Sequence, residues 1–437
     1  MTPILIDGSP EATQRLELLL SRGRFHDDEI LSVVREIIGD VSESGDDAVV
    51  EYTRRFDAPA FDLDQIRVGE EEYEMAYMVE DEEFVKSIRL AIDRVRSFHE
   101  RQMRNSWFAS EEDGVILGQI VQPIRRVGIH VPAFSQFLVS TLIMCVIPAK
   151  VAGVEEIVVC TPPMRNGRIN PYMLITAKEC GVDELYKVGG AQAVAAMAFG
   201  TKRIKRVDKI VGPGNIYVQM AKRELFGIVD IDMIAGPSEI LVIADDSADP
   251  SFVAADLLSQ AEHMDDSSAV LITDNIRLAQ KVRRELERRL QDLSRSQIAL
   301  HSLKKYGAIF VTESLDRAFD LAAQIAPEHL EIMVREPFRW LGKVRNAGAV
   351  LLGPYSPEAV GDYIAGPNHT LPTGGTAKFY SPLGVDDFLK KTSLIQFTES
   401  ALKKLAPAVI KLAEVEGLDG HAKSVRLRLE RPISRSI

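Results

Sequence analysis

From about residue 117 onward, short β-branched runs alternate with stretches of helical period, and this alternation restricts the fold more than any other feature. EIVVC is followed by NPYMLITAKECG, DELYKVGG, AQAVAAMAFG, VDKIVGPGN, IYVQMAKREL and EILVIAD. Parallel strands cannot be joined by tight turns and need long crossovers, usually helical, so such a series predicts βαβ units around a parallel sheet. A second series predicts helix in SFVAADLLSQAEH, NIRLAQKVRRELERRLQDL and SLDRAFDLAAQI, and strand in SAVLIT, GAIFVT, LEIMV and AGAVLLG. Two α/β units are therefore expected. The first 105 or so residues read as helices, with Gly23 and Gly39 where helices should stop. The last 50 or so, from GVDDFLKKTSLIQF on, read as helical again and end in a basic segment.

Charge and cysteine usage narrow the function classes. Sixty-four acidic residues against 52 basic ones give a net charge of −12, with an acidic run at GEEEYEMAYMVEDEEF, which argues against a nucleic-acid surface. No apolar run reaches the length of a membrane span, and MTPILIDGSPEATQRLELLL lacks the basic start and cleavage site of a signal peptide, so a cytoplasmic protein is expected. Cys145, Cys160 and Cys180 lie in or beside apolar runs and offer neither a disulfide framework nor a CxxC site. Any metal must then use His, Asp, Glu or Gln.

Four segments carry polar groups in unusual company. In IAPEHLEIM, Glu328 and His329 interrupt an apolar run after Pro327, between a predicted helix and a predicted strand. Element ends of this kind are where parallel-sheet proteins place chemistry, although a capping acid and a hydrogen-bonded histidine would read the same way. In LLSQAEHMDD, Gln260 and His263 are three apart near a helix end, so both can face one point, as ligands or as a surface pair. GPYSPEAVGDYIAGPNHTLPTGGTA sets Asp362 and His369 among fixed turns in a long loop, and EGLDGHAKSV places His421 at a helix start beside Glu416. Gln260, His263, Asp362 and His421 together would suit Zn²⁺, which takes nitrogen and oxygen donors. Spacing alone leaves open whether they meet. The strand–glycine–helix turns VGGAQAVAA and VGPGNIYVQ offer helix N-termini suited to anions, with Gln192 and Asn215 as their polar groups, and AGPSEILVIAD puts Ser238 in a tight turn before a strand.

Taken together, QPIRRVGIHVP, IPAKVAGV, VGGAQAVAAMAFGT, VGPGN, AGPSEILVIAD, DLLSQAEH, APEHLE, SPEAVGDYIAGPNHTLPT and EGLDGHAKSV resemble the histidinol dehydrogenases, in order, over residues 118 to 426. The resemblance implies two incomplete Rossmann-like parallel-sheet domains with helical N- and C-terminal extensions. The implied division is an extension at 1–22, a first domain from 23–126 with 239–381, a nucleotide-side domain at 127–238 and a dimerisation tail at 382–437. It further implies NAD and one Zn²⁺ per subunit, with Gln260, His263, Asp362 and His421 as metal ligands that also hold L-histidinol. Glu328 and His329 would be the acid/base pair, and Ser238, His329 and Glu416 would contact substrate. Gln192 and Asn215 would contact NAD. The protein would be a homodimer in which His421 and Glu416 cross to the partner's site.

One segment departs from the family pattern. Where a tyrosine and a Gly-Gly turn are usual, GIHVPAF places His130, Ala133 and Phe134, so His130 takes over the tyrosine's nucleotide position and the backbone loses close approach. Met264 is a milder change. Two hydride transfers need a base for the alcohol and an activated water for the aldehyde, and no cysteine sits in a polar motif to replace that water. The alternatives are a zinc-dependent dehydrogenase of another polar alcohol such as a sulfonated diol, a zinc hydrolase, and a non-enzymatic scaffold. Glu416 favours an ammonium-bearing substrate over a sulfonate.

Overall fold

The computed structural model describes residues 2–22, 28–78, 81–111, 114–133 and 137–430. The chain forms two compact units, one of residues 1–102 with 124–388 and a smaller one of residues 103–123 with 389–437. The larger unit holds both expected parallel sheets. Its first sheet contains β1 (Ile4–Ile6), β9 (Glu239–Ala244), β10 (Ser268–Thr273), β11 (Ala308–Val311), β12 (His329–Met333) and β13 (Ala349–Leu352), in the order β1-β11-β10-β9-β12-β13. The second contains β4 (Arg126–His130), β5 (Glu156–Cys160), β6 (Glu184–Tyr186), β7 (Lys209–Val211) and β8 (Asp230–Ile231), in the order β6-β5-β4-β7-β8. All pairings within these two sheets are parallel.

Burial on both faces explains why the strands read as continuous apolar runs. In the first sheet, Val242 and Leu271 pack on one face with Leu257 and Val282, while Ile243 and Ile272 pack on the other with Phe319 and Leu321. The second sheet's core joins Val158 and Ile210 to Val194 and Met197, and Val34, Ile37 and Val41 from the helix Asp28–Ser44 extend it.

Several local expectations change. Ile4–Ile6 is a strand paired with Ile309–Val311, where helix was expected. Gly39 lies inside the helix Asp28–Ser44 and stops nothing, and Gly23 lies outside the described residues. LKKTSLIQF is not helical: β14 (Leu389–Phe397) pairs antiparallel with β3 (Val115–Pro123), which pairs in turn with β2 (Trp107–Glu111). This three-stranded sheet belongs to the smaller unit, with the helices Glu399–Val415 and Asp419–Glu430. Among the described residues, no helix is long and apolar enough to cross a membrane.

Candidate active site

The helix Leu315–Ile325 ends at Ala326 in the left-handed conformation, φ 54°, the one described non-glycine residue with positive φ. Pro327 prevents continuation, and the chain turns at once into β12. Glu328 and His329 thereby fall at the amino end of a central strand, opposite to the carboxyl-end placement common in open α/β sheets. The turn is fixed from two sides. The Glu239 amide donates to Glu328 Oε2 at 2.8 Å, and the Ala349 amide donates to the Glu328 carbonyl at 2.8 Å. A Cβ on Gly348 would come within 2.6 Å of that same carbonyl oxygen, so the close approach requires glycine.

His329 sits among carboxylates without a short bond to any. Its Nδ1 lies 3.8 Å from Glu328 Oε2 and 3.7 Å from Glu358 Oε1, and its Nε2 lies 3.7 Å from Asp362 Oδ1. Both members of the pair are buried. Burial pushes the His329 imidazole down to about 4 against the pull of Asp362, and pushes the Glu328 carboxyl well above the ordinary carboxylate range, aided by neighbouring Glu239, Glu358 and Asp362. Burial thus favours the uncharged form of both groups.

Gln260, in the last turn of the helix Pro250–Ala261, is fully buried, and His263 follows just beyond the helix. The Gln260 Nε2 lies 3.2 Å from His263 Nδ1, while Oε1 is buried with no hydrogen-bond partner among the described residues. His263 shares a group with Glu358 and Asp362 in which one donor atom from each lies within 4.8 Å of the others. The structure therefore brings Gln260, His263, Asp362, Glu328 and His329 into one connected cluster. Ser238 adjoins it, immediately before Glu239, and the Ser238 carbonyl accepts from the Ser268 amide at 3.0 Å. Glu416 and His421 belong to the smaller unit, Glu416 capping the helix Glu399–Val415 and His421 in the helix Asp419–Glu430, both exposed.

Glu358 was absent from the sequence reading, and His369 was named there without a role. Glu358 lies one helical turn before Asp362, a spacing that puts both on one face and could have revealed it. Its Oε2 accepts from Ser259 Oγ at 3.1 Å, its Oε1 is buried without a hydrogen-bond partner among the described residues, and burial beside Asp362 raises its carboxyl well above the usual range. His369 Nδ1 lies 3.7 Å from Asp362 Oδ1, and its Nε2 lies 3.3 Å from Thr141 Oγ1.

A separate cavity of about 560 Å³ opens at the second sheet. Its walls include His130 at the end of β4, Pro162 after β5, Gly190 to Gln192 after β6 and Asn215 after β7. These are the carboxyl ends of strands flanking the point where the strand order reverses, the usual ligand crevice of such sheets. Tyr52, Phe56 and Tyr217 add flat faces, and Glu36, Arg55 and Asp57 add charge. Asn215 Oδ1 also caps the helix Ile216–Leu225 by accepting from the Val218 amide at 3.1 Å. Ala133 lines the cavity, whereas Phe134 lies outside the described residues. All three cysteines are buried, and burial raises the Cys145 thiol to about 12 and those of Cys160 and Cys180 further, which removes them as nucleophiles.

The profile of the family described as histidinol dehydrogenase matches residues 20–429. The chain is similar to a histidinol dehydrogenase of Bacillus cereus, 48% identical over 98% of this chain and 99% of that protein. A second histidinol dehydrogenase, from Heliobacterium mobile, is 51% identical over 93% and 95% of the two chains. The crystal structure of histidinol dehydrogenase from Elizabethkingia anophelis superposes with a TM-score of 0.92 at 38% identity, covering 98% of both chains. On this evidence the chain belongs to the histidinol dehydrogenase family of oxidoreductases.

Proposed function

We propose that this enzyme oxidises L-histidinol to L-histidine through the aldehyde, using NAD and one zinc ion per subunit. The observation that carries this reading is the buried, unpartnered Oε1 of Gln260 beside His263, in a cluster that includes Asp362 and the Glu328–His329 pair. A buried acceptor left unpaired costs free energy unless a ligand satisfies it, and the amide oxygen, imidazole and carboxylate form a donor set that fits zinc. In this reading Gln260, His263 and Asp362 hold the ion together with His421 of a second copy. Ser238 and the second copy's Glu416 orient the substrate. When bound, zinc would fix the substrate's imidazole and amine and draw Glu328 toward its anionic form, while two NAD⁺ molecules in succession, each held by His130, Gln192 and Asn215, would each accept one hydride.

The remaining chemistry falls to the pair. His329, kept neutral by burial, takes the alcohol proton in the first oxidation. Glu328 then takes a proton from the water that adds to the aldehyde. A sulfonated alcohol would meet Glu416 of the second copy, a carboxylate that attracts an ammonium and repels a sulfonate. A homodimer would give cover to Leu412 and Val415, which are 65% and 71% exposed on the helix Glu399–Val415. A cytoplasmic setting accords with cysteines that remain unpaired, and neither nucleic acid nor membrane is invoked as a partner.

The reading is tested by following NADH formation from L-histidinol with and without a chelator. Activity that disappears on chelation and returns with Zn²⁺ supports it, and no NADH from the metal-loaded protein rejects it. Glu328→Gln should slow the second oxidation about 100-fold more than the first, because an amide cannot deprotonate water. Supplying alcohol and aldehyde in separate assays measures this, and equal slowing of both halves rejects the division of labour.

A further inference from the structure

Resting on the role proposed for Glu328 and deepening it, we infer that Arg22 is a positioning residue for the second oxidation, holding the Ser238–Glu239 turn so that the Glu239 amide stays on the Glu328 carboxylate. Arg22 lies just beyond the helix Pro10–Leu20, at the end of the amino-terminal segment, and is buried. Its Nη1 lies 3.0 Å from Glu239 Oε1, with the two side chains 4% and 5% exposed. Its Nη2 donates to the Asp266 carbonyl at 2.7 Å and reaches the Ser238 carbonyl at 3.5 Å. The guanidinium carbon stands 4.8 Å from the centre of the Tyr306 ring. One planar cation thus ties together the segments that lead into the neighbouring strands β9 and β10.

Stability alone is a poor reason for this arrangement. A buried ion pair is costly to desolvate and is often no more stabilising than apolar side chains of similar volume. What the pair adjoins is more telling. The amide of Glu239, the residue whose side chain Arg22 grips, donates to Glu328 Oε2 at 2.8 Å. A main-chain N–H aimed at a carboxylate favours the anion, the form that can take a proton from water. Burial opposes the Glu328 anion most strongly, and the charges of Glu239, Glu358 and Asp362 oppose it further, while the Glu239 amide works the other way. Burial favours the uncharged form of His329, whose Nδ1 is 3.8 Å from the same Oε2. If the turn relaxes, the amide leaves Oε2 and the Glu328 pKa rises, so less of the base is available at a given pH.

The test uses the full-length, zinc-loaded protein with Arg22→Gln and Arg22→Lys, timing the first NADH formed from L-histidinol and the NADH formed from the aldehyde across pH. Arg22→Gln is expected to slow the aldehyde half about tenfold more than the alcohol half. It should also move the acid limb of the aldehyde profile to higher pH and leave that of the alcohol half in place. Arg22→Lys can still pair with Glu239 but cannot fork to Asp266 as well, so it should recover most of the loss and leave about a threefold bias. A folded Arg22→Gln that slows both halves alike, or that leaves the aldehyde limb where it was, overturns the inference. If Arg22→Gln does not fold, Arg22→Lys decides, and equal slowing of both halves by it overturns the inference. Glu328→Gln measured alongside separates the two readings. A bias there without one in the Arg22 variants removes the inference alone, whereas no bias in Glu328→Gln removes the division of labour and the inference with it.

Discussion

Replacing His329 by alanine is expected to lower turnover of L-histidinol by about 10³-fold while leaving zinc bound at one ion per subunit. The expectation rests on where the imidazole sits. Its contacts to Glu328, Glu358 and Asp362 are 3.7–3.8 Å long, beyond hydrogen-bond range, and Nδ1 has no hydrogen-bond partner among the described residues, so it is poised for a proton. Loss of a positioned general base costs about 10²–10⁴ in rate. Under the proposed function, Gln260, His263 and Asp362 would remain in place to hold the metal. Elemental analysis of the purified variant is the check, and a metal-free His329→Ala protein would make the imidazole a ligand and refute the proton-transfer role.

The second large effect concerns two inactive proteins that should rescue each other. His421→Ala and His329→Ala are each expected to lose nearly all turnover, yet an exchanged mixture should recover about a quarter of the wild-type site activity. In a mixed dimer, one site would carry both defects and the other neither, and mixed dimers make up about half of an equimolar population. The motive lies in the smaller unit, where Leu405, Val409, Leu412, Val415 and Leu427 are exposed on the two C-terminal helices and Leu418 on the turn between them, beside Glu416 and His421. Verified subunit exchange without recovery would assign His421 to its own chain's site.

The strands that could be read from sequence are those buried on both faces. EIVVC, EILVIA and SAVLIT are apolar because helices cover them on either side, and the same burial makes them strands. LKKTSLIQF misled for the opposite reason. Its residues are mostly exposed on both faces, so no alternation marks a core side, and its pairing with Val115–Pro123 is set by contacts far away in sequence. Ile4–Ile6 is too short for any period to show. The site divides in the same way. Gln260 and His263 were legible because helical spacing brings them together, as was Glu328–His329, because two titratable groups in an apolar run needed explaining. Glu358 was hidden: an acid in SPEAVGDY looks like solvent-facing loop chemistry, and only the packing against Ser259 and His329 makes it a buried member of the cluster.

The edge pairing of Ile4–Ile6 with Ile309–Val311 also sets an order of events during synthesis. The second sheet is drawn from one continuous stretch, residues 126 to 231, and can assemble as soon as that stretch has left the ribosome. The first sheet cannot finish so early, because about 300 residues separate its first strand from that strand's neighbour. At about 5–20 residues per second, Ile4, Leu5 and Ile6 wait roughly 15–60 s for a partner. During that interval the nascent chain carries an unpaired apolar strand, open to a chaperone or to a second nascent chain.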